Sequence, residues 1–477
     1  MTIQFDNIPS SIRKPGWYSE YNASLASQGL PENAKKVVII GQKTSAGTGV
    51  SNVPVMVFNT TDAETYAGVG SVAALAAAAF LKANPNVELS IVPIPDGAGA
   101  AAVGTITIAT NATSTGSIEF WIGNIRCEVT VVSGDSPSSI ATAIRTAMLE
   151  IQNKTPILAT VDGAVVTITA RNAGTLGNNI AVAYKKNNVS GTTVTVVQPT
   201  SGATDPSIAT ALSSIYSADF NMIVCTLNDA TNLGLLKAHM QSVTSPTESK
   251  RVTAYYGYTG VQATLETLAG TTLNYERFSC AYIKQTKTTE RGHSLDYEVG
   301  AAYSAIVAGE SDPARPLNTL ALPGISPCAL EDKLSRSQQG SLLRNGVTPL
   351  EVGPGETVQI VRAVTNYTTD ATGTKSVAYL DLTTILSMDY GDIAIRSREA
   401  QRFPREKKTE RTKAKLKTEV LDVIRLLSEL EIWNDVDSSE VIVENDLQAV
   451  GRLNVRIPAK VVAGLHVIAN RLDLILS

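Results

Sequence analysis

The feature that most restricts the fold is an uninterrupted apolar run at residues 37–41 (VVIIG), which opens a regular alternation of strand and helix patterns. A strand that is apolar at every position is typical of a parallel sheet with both faces covered. Further strands are predicted at residues 89–94, 221–227, 252–258 and 278–283, and helices at residues 62–83, 230–240, 262–268 and 294–308. This alternation predicts a doubly wound-like α/β core formed by residues 35–96 and 204–330.

The alternation stops at a stretch of small residues, 97–102 (GAGAAA), and the sequence that follows is rich in Thr, Val and Gly. Short strands are predicted here at residues 104–108, 117–122, 126–132, 165–170 and 192–197, with one helix near residues 137–152. Asp205-Pro206 then predicts the start of a helix. Residues 97–203 are therefore predicted to form a β-rich domain inserted into the core, which makes the whole chain a mixed α/β (α+β) protein.

Both ends of the chain are predicted to be extended arms. Residues 1–34 have few periodic apolar positions, and Pro9 and Pro15 favour extended backbone. In the tail, residues 459–477, every odd position from 461 to 469 is apolar, and every even position from 472 to 476 is apolar. Because a one-residue slip turns every side chain of a strand to the other face, this switch predicts a bulge, a bend or two partner surfaces near residues 470–471. The alternative is an ordinary final strand within its own domain.

Residues 331–458 are predicted to form a C-terminal domain. A helix is expected at residues 334–343, ended by Gly346, followed by a hairpin around Pro354-Gly355 with a return strand at residues 358–364. Two long helical segments come next. The second has apolar residues at helical spacing, which predicts that it packs on a core: Leu416, Val420, Val423, Ile424 and Leu427.

A basic segment, residues 402–417, contains eight Lys or Arg and only two Glu. On one continuous helix, Lys407, Arg411 and Lys415 would form a stripe that points away from the apolar Leu416. Charge runs of this kind are commonly solvated faces. The functional alternative is a surface that docks onto an anionic partner.

Composition and charge narrow the function classes. The net charge of −4 gives no overall attraction to nucleic acid phosphate. The longest apolar run, residues 72–81, is about half of what a membrane span needs, and no secretory signal begins the chain, which implies synthesis in the cytoplasm. The four cysteines, Cys127, Cys225, Cys280 and Cys328, have no C-x-x-C spacing. We therefore predict no metal site and no cofactor, and we interpret the cysteines as small core residues.

Four stretches, in order, resemble one known family. They are residues 8–20 (IPSSIRKPGWYSE), 320–325 (LALPGI), 344–350 (RNGVTPL) and 360–367 (IVRAVTNY), the last followed by 378–382 (AYLDL) and 402–405 (RFPR). Together they resemble the contractile phage tail sheath proteins, most closely the Mu-like branch. Residues 177–180 and 202–206 also resemble the variable outer domain of that branch.

The resemblance implies a structural subunit, without enzymatic activity, that forms stacked and usually hexameric rings around a rigid tail tube. Contraction of such a sheath drives the tube into the host envelope for genome ejection. The implied partners are other copies of the chain, the tail tube protein, and the baseplate and tail terminator proteins, without direct nucleic acid binding or membrane insertion. The implied location is the virion tail, assembled in the host cytoplasm. In this family terminal arms add strands to neighbouring subunits, which makes the candidate linking residues Ile8, Pro9, Pro15, Tyr18, Leu465, Val467, Leu472 and Leu474. The C-terminal domain faces the tube, which makes Lys407, Arg411 and Lys415 candidate tube contacts.

Several alternatives stay open. The particle could be a phage-like bacteriocin or another contractile injection system. The inserted domain could make the chain a receptor-binding adhesin, although Phe120 and Trp121, its two candidates for stacking on sugar, are expected in the core. Catalysis is disfavoured because no G-x-S-x-G motif surrounds any serine, and Ser294, beside His293 and Asp296, is better explained as a helix cap. The glycines at 41–49 depart from the phosphate-loop spacing.

Overall fold

The computed structural model describes residues 13–19, 29–288 and 292–475. Two compact units are present: the described residues of Asn33–Tyr390 and Val461–Ser477 form one, and those of Met1–Glu32 and Gly391–Lys460 form the other. The described strands are β1 (Lys36–Gln42), β2 (Val55–Val57), β3 (Glu88–Ile94), β4 (Val103–Ala109), β5 (Gly116–Ile122), β6 (Ile125–Val131), β7 (Ile157–Asp162), β8 (Val165–Ala170), β9 (Val182–Asn187), β10 (Thr193–Thr200), β11 (Met222–Cys225), β12 (Thr253–Tyr258), β13 (Phe278–Tyr282), β14 (Thr348–Val352), β15 (Val358–Ile360), β16 (Ile442–Asn445) and β17 (Leu453–Arg456). The described α-helices are α1 (Thr60–Ala67), α2 (Val72–Ala83), α3 (Pro137–Glu150), α4 (Ala209–Ser214), α5 (Ala230–Val243), α6 (Gln262–Thr267), α7 (Asp296–Gly309), α8 (Arg336–Arg344), α9 (Leu382–Arg402) and α10 (Glu410–Glu429).

An eight-stranded sheet forms the centre of the larger unit, in the order β15-β14-β13-β12-β11-β1-β3-β2. The six inner strands are parallel, and β2 and β15 pair antiparallel at the two edges. The apolar run predicted as the first strand is β1, whose residues 37–42 are all buried. The predicted α/β fold class is confirmed.

The segment predicted to be the inserted domain contains β4–β10 and α3. Its strands form a four-stranded sheet, β10-β4-β8-β7, and a three-stranded sheet, β6-β5-β9. Strands β7 and β9 were not predicted from the sequence. β9 lies between segments that contain Gly and Asn, and only its first three residues are apolar before it becomes charged.

One predicted helix is two helices in the structure. Residues 62–83 were expected to be continuous, but α1 ends at Ala67 and α2 begins at Val72. Gly68 and Gly70 between them have φ angles of 90° and 67°, in the left-handed region that favours glycine. A Cβ atom on Gly68 would lie 2.0 Å from the Thr44 hydroxyl oxygen, so this turn needs glycine. The helix expected at Asp205-Pro206 also begins later, at Ala209.

The sheet continues beyond residue 330, where the sequence analysis ended the core. After α8, which is followed by Gly346 with a φ of 71°, β14 pairs parallel with β13 and β15 returns antiparallel to β14. The predicted hairpin around Pro354-Gly355 is therefore present as β14 and β15. The proposed division of the chain into five segments stays a prediction.

Candidate assembly surfaces

The position where open α/β sheets commonly bind ligands is filled by the protein itself. Such sites lie at the carboxyl ends of the strands where the strand order reverses, which here is at β1, between β3 and β11. Gln42, the last residue of β1, donates to Asp96 Oδ1 at 2.7 Å and to the Ala173 carbonyl at 2.7 Å. Asn172 of the inserted domain donates to the Lys43 carbonyl at 3.2 Å, and the Val72 N–H donates to Asn172 Oδ1 at 3.1 Å. The inserted domain therefore closes this end of the sheet.

His293, Ser294 and Asp296 do not form a catalytic arrangement. The Asp296 carboxylate accepts from Asn179 and Asn228 through Oδ2, at 2.7 and 2.8 Å, and from the Thr259 hydroxyl through Oδ1 at 2.5 Å. Burial raises the pKa of Asp296. His293 Nε2 is hydrogen-bonded to the Thr286 carbonyl, and the Ser294 hydroxyl accepts from the Ser326 N–H at 2.8 Å.

The expectation that Ser294 caps α7 is wrong. The residue that precedes the helix is Leu295, whose N–H donates to the Glu298 carboxylate at 2.9 Å. Ser294 lies one residue too early and uses its hydroxyl on another segment. Among the described residues, no group of three or more His, Cys, Asp or Glu is placed to hold a metal ion. No described helix is both long and apolar enough to cross a membrane.

The segment 358–405, which carries the most specific motif, has a structural role within the larger unit as far as residue 390. Arg362 binds Asp381 through two parallel hydrogen bonds of 2.8 and 2.9 Å, a geometry that is strong as well as specific. The buried Asn366 donates to the Tyr256 hydroxyl at 2.7 Å, and the Val364 N–H donates to the Thr348 hydroxyl at 2.9 Å. The motif thus locks the chain that follows β15 onto the sheet.

His466 of the C-terminal tail contacts this motif. Its Nε2 lies 3.4 Å from Asp381 Oδ1, and its Nδ1 is 3.1 Å from the Asn318 amide nitrogen. Burial lowers the pKa of His466, and the nearby Arg362 guanidinium lowers it further. A largely neutral imidazole therefore anchors the tail, a contact that the sequence did not indicate.

Beyond His466 the described tail residues, 467–475, are exposed. Val467, Leu472 and Leu474 expose 77%, 96% and 87% of their surface, and Leu465, just before the anchor, exposes 71%. The described tail residues after Val461 belong to no strand. The alternative of an ordinary final strand in its own domain is therefore wrong for these residues. Several exposed apolar side chains on a segment that pairs with no described strand are typical of a surface that binds a partner.

Of the N-terminal candidates, Ile8 and Pro9 lie outside the described residues. Pro15 and Tyr18 lie in a short described segment without helix or strand, in which Trp17 is fully exposed and Tyr18 is half exposed. The Tyr18 hydroxyl donates to the Lys14 carbonyl at 3.0 Å. The exposure of Trp17 was missed by the sequence analysis, although exposed aromatic residues are a common sign of interfaces.

The smaller unit contains a two-stranded sheet, β16 and β17, that the sequence analysis did not predict. The strands pair antiparallel from Ile442 with Arg456 to Asn445 with Leu453. Among the described residues neither strand has a second neighbour in the sheet, so both outer edges can accept another strand. The signal that could have revealed it is the pair of short alternating stretches on either side of residues 446–452.

The basic segment is only partly helical. Thr409 caps α10 by accepting from the Thr412 N–H, so Lys407 precedes the helix while Arg411 and Lys415 lie on it. The expectation of one helical stripe is therefore wrong for Lys407, although all three side chains are exposed. Lys415 lies 3.6 Å from Glu406. The expected apolar face of α10 is confirmed for Val420, Val423, Ile424 and Leu427, which are buried, whereas Leu416 is only partly buried.

Comparison with known proteins confirms the resemblance found in the sequence. Residues 201–366 match the central domain of phage tail sheath proteins. The Mu-like prophage FluMu tail sheath protein of Haemophilus influenzae is 29% identical over 414 residues, which cover 85% of this chain and 83% of that protein. The sheath tail protein of Listeria innocua has a TM-score of 0.53 at 15% identity, covering 92% of this chain and 94% of its own. The contracted PVC sheath complex of an extracellular contractile injection system has a TM-score of 0.52 at 10% identity, with 98% of both chains covered.

Proposed function

We propose, from its place in the phage tail sheath family, that this chain is the structural subunit of a contractile tail sheath. It polymerises into stacked, hexameric rings around the tail tube. Contraction of these rings drives the tube through the host cell envelope so that the genome is ejected. The chain acts by presenting surfaces to other copies and has no catalytic role.

The observation that carries this proposal is the bare C-terminal tail. A segment whose described residues have exposed apolar side chains and no strand partner fits a segment whose partner is another molecule. Each backbone hydrogen bond in an added strand contributes only about 0.5–1.5 kcal/mol, but several bonds together with buried leucines make a strong joint. Repetition along a polymer then lets the joints persist while weaker contacts exchange during contraction.

The β16–β17 sheet is the acceptor that we infer for the arms. It is the smallest described sheet and has two open edges, so one arm can add to each side. Strand addition would turn an isolated pair, which is marginally stable by itself, into a sheet of three or four strands. The proposed N-terminal contacts are Pro15 and Tyr18, together with Ile8 and Pro9, which lie outside the described residues. The proposed C-terminal contacts are Leu465, Val467, Leu472 and Leu474.

Partners beyond the sheath follow from the same role. The basic segment with Lys407, Arg411 and Lys415 is proposed to face the tail tube, with the baseplate at one end of the sheath and the tail terminator at the other. Assembly is proposed to occur in the host cytoplasm before the sheath becomes part of the virion tail.

Truncation of the tail tests the proposal. A chain that ends at His466 keeps the anchor and loses residues 467–477, so we expect a folded subunit that no longer forms long sheaths by electron microscopy and sedimentation. A finer variant replaces Leu472 and Leu474 by Ser, and its control replaces the exposed Arg471 and Asp473 by Ser. The leucine variant should assemble poorly and the control normally. Full-length, contractile sheaths from the truncated chain would disprove the arm mechanism.

A further inference from the structure

The loop between β16 and β17, residues 446–452 (the hairpin loop), carries two apolar side chains that are exposed to solvent. Leu447 and Val450 expose 101% and 91% of their surface. Loops usually carry polar residues at such positions, and apolar residues at the tip of an ordered loop are suited to entering a pocket on a partner. These two residues are not used by the strand pairing of the arms, because they lie beyond the ends of both strands.

Hydrogen bonds hold the hairpin loop in one shape. Asp446 Oδ1 accepts from the N–H groups of Gln448 and Ala449 at 2.8 and 2.7 Å, and Asp446 Oδ2 accepts from the Asn454 amide at 3.0 Å. The Arg452 N–H closes the loop on the Ala449 carbonyl at 3.1 Å. The three donors to Asp446, of which the Ala449 N–H has the largest effect, lower the pKa of Asp446 to about 2. The carboxylate is therefore ionised at all physiological pH values. A loop ordered before binding loses less entropy on binding.

The hairpin loop and the basic segment form one surface. Lys408 Nζ donates to the Val450 carbonyl at 2.7 Å, and the Asn445 amide donates to Glu410 at 3.3 Å. Both bonds join the loop to the start of α10, where Lys407 and Arg411 are exposed. The hairpin loop therefore lies beside the basic segment, where one partner surface can reach both.

We propose that Leu447 and Val450 are the apolar anchors with which the sheath subunit docks on the tail tube. The partner that fits is a protein surface with an apolar depression bordered by carboxylates, since the depression receives the two side chains and the carboxylates face the basic segment. This inference rests on the proposed tube-facing role of Lys407, Arg411 and Lys415 and adds the contact that gives the docking its position. Charge attraction acts at a distance and orients the partners, whereas buried apolar anchors fix the register.

Cosedimentation with tail tubes purified from the producing particle tests the inference. The full-length chain with Leu447→Ser and Val450→Ser is compared with the wild type, with Leu158→Ser and Val197→Ser as a control that removes exposed apolar residues from the inserted domain. The loop variant should bind tubes at least about tenfold more weakly, as expected for loss of hot-spot side chains, while the control binds normally. A second variant, Asp446→Ala, keeps both apolar side chains but frees the loop, and should bind with intermediate affinity.

Charge reversal separates the anchors from the charges. The chain with Lys407→Glu, Arg411→Glu and Lys415→Glu should lose binding at low salt, because exposed charges act most strongly there. The loop variant should remain weak at both low and high salt. If charge reversal abolishes binding while the loop variant binds like the wild type, the anchors are disproved and the tube-facing role stands. If the wild type forms sheaths but does not bind tubes, both are disproved. If the loop variant fails to form sheaths without tubes, the loop is a contact between copies and the inference is overturned.

Discussion

Gly391 and Gly234 both lie in helices, but their replacement by alanine is expected to change stability in opposite directions. Gly391 lies in α9 against the buried indole of Trp433, and a Cβ atom there would be 2.1 Å from the Trp433 Cζ2 atom. Gly234 lies in α5, where a Cβ atom would meet nothing within 4 Å. Alanine is more favourable than glycine within a helix by about 1 kcal/mol at both positions, so the difference between the two substitutions comes from packing.

We expect Gly391→Ala to destabilise the smaller unit by about 1–3 kcal/mol, because overpacking outweighs the gain in helix propensity. Gly234→Ala should stabilise its unit by up to about 1 kcal/mol. Urea unfolding followed by tryptophan fluorescence measures the first, since Trp433 reports on its own surroundings, and circular dichroism measures the second. Equal effects of the two substitutions would contradict the packing of Gly391 against Trp433.

At the scale of elements, α7 is a central helix with an unusual first turn. It is buried along almost its whole length, and its first turn contains Asp296 and Glu298. Burial raises the pKa of Glu298 to about 7, against the opposing effects of the Leu295 N–H and Lys82. Since the folded pKa lies above the ordinary value of 4.5, the folded state prefers the protonated acid. The stability from this preference is complete below about pH 4.5 and is lost as the pH rises through about 7.

Glu298→Gln should remove that pH dependence. Glutamine keeps an oxygen that can accept from the Leu295 N–H and is never charged, so the variant should match the wild type near pH 5 and exceed its free energy of unfolding by about 1–3 kcal/mol at pH 8.5. The control, Glu429→Gln, removes an exposed carboxylate next to Arg425 and should change stability by less than about 1 kcal/mol. Urea unfolding at both pH values measures the difference. A variant that is less stable than the wild type at pH 8.5 would contradict the expectation that burial disfavours the ionised form of Glu298.

The elements also show what local sequence can and cannot predict. The position of β1 and the buried face of α10 followed from apolar periodicity, because both are long and strongly patterned. The split between α1 and α2 depends on how Gly68 meets Thr44, a contact 24 residues apart along the chain. Lys407 was placed on the helix because a charge pattern does not indicate at which residue an N-cap such as Thr409 will begin it. The His466 anchor depends on tertiary contacts with Asn318 and Asp381 and carries no local signal.

At the scale of the whole molecule, the proposed assembly surfaces all lie outside the inserted domain. The arms, the β16–β17 sheet and the basic segment belong to residues before 97 or after 203. The ends of the insertion are adjacent, since Ala100 and Ala203 form an antiparallel bridge with a hydrogen bond of 3.1 Å. The α/β fold class and the family resemblance could be inferred from sequence, but the order of strands in the sheet and the adjacency of the two ends of the insertion required the structure.

Replacing residues 101–202 with two glycines should therefore leave a subunit that folds and forms sheaths. Two residues suffice to join an antiparallel pair. The variant loses the bonds of Ala173 to Gln42 and of Asn179 to Asp296, so we expect a lower melting temperature. Electron microscopy of the purified variant measures sheath formation, and the same deletion combined with loss of residues 467–477 serves as the control that cannot assemble. A deletion variant that keeps the circular dichroism spectrum of an α/β fold but stays monomeric would show that the inserted domain itself carries contacts between subunits. Because Ala173 of the inserted domain is hydrogen-bonded to Gln42 at the end of β1, those contacts between subunits would also act on the central sheet.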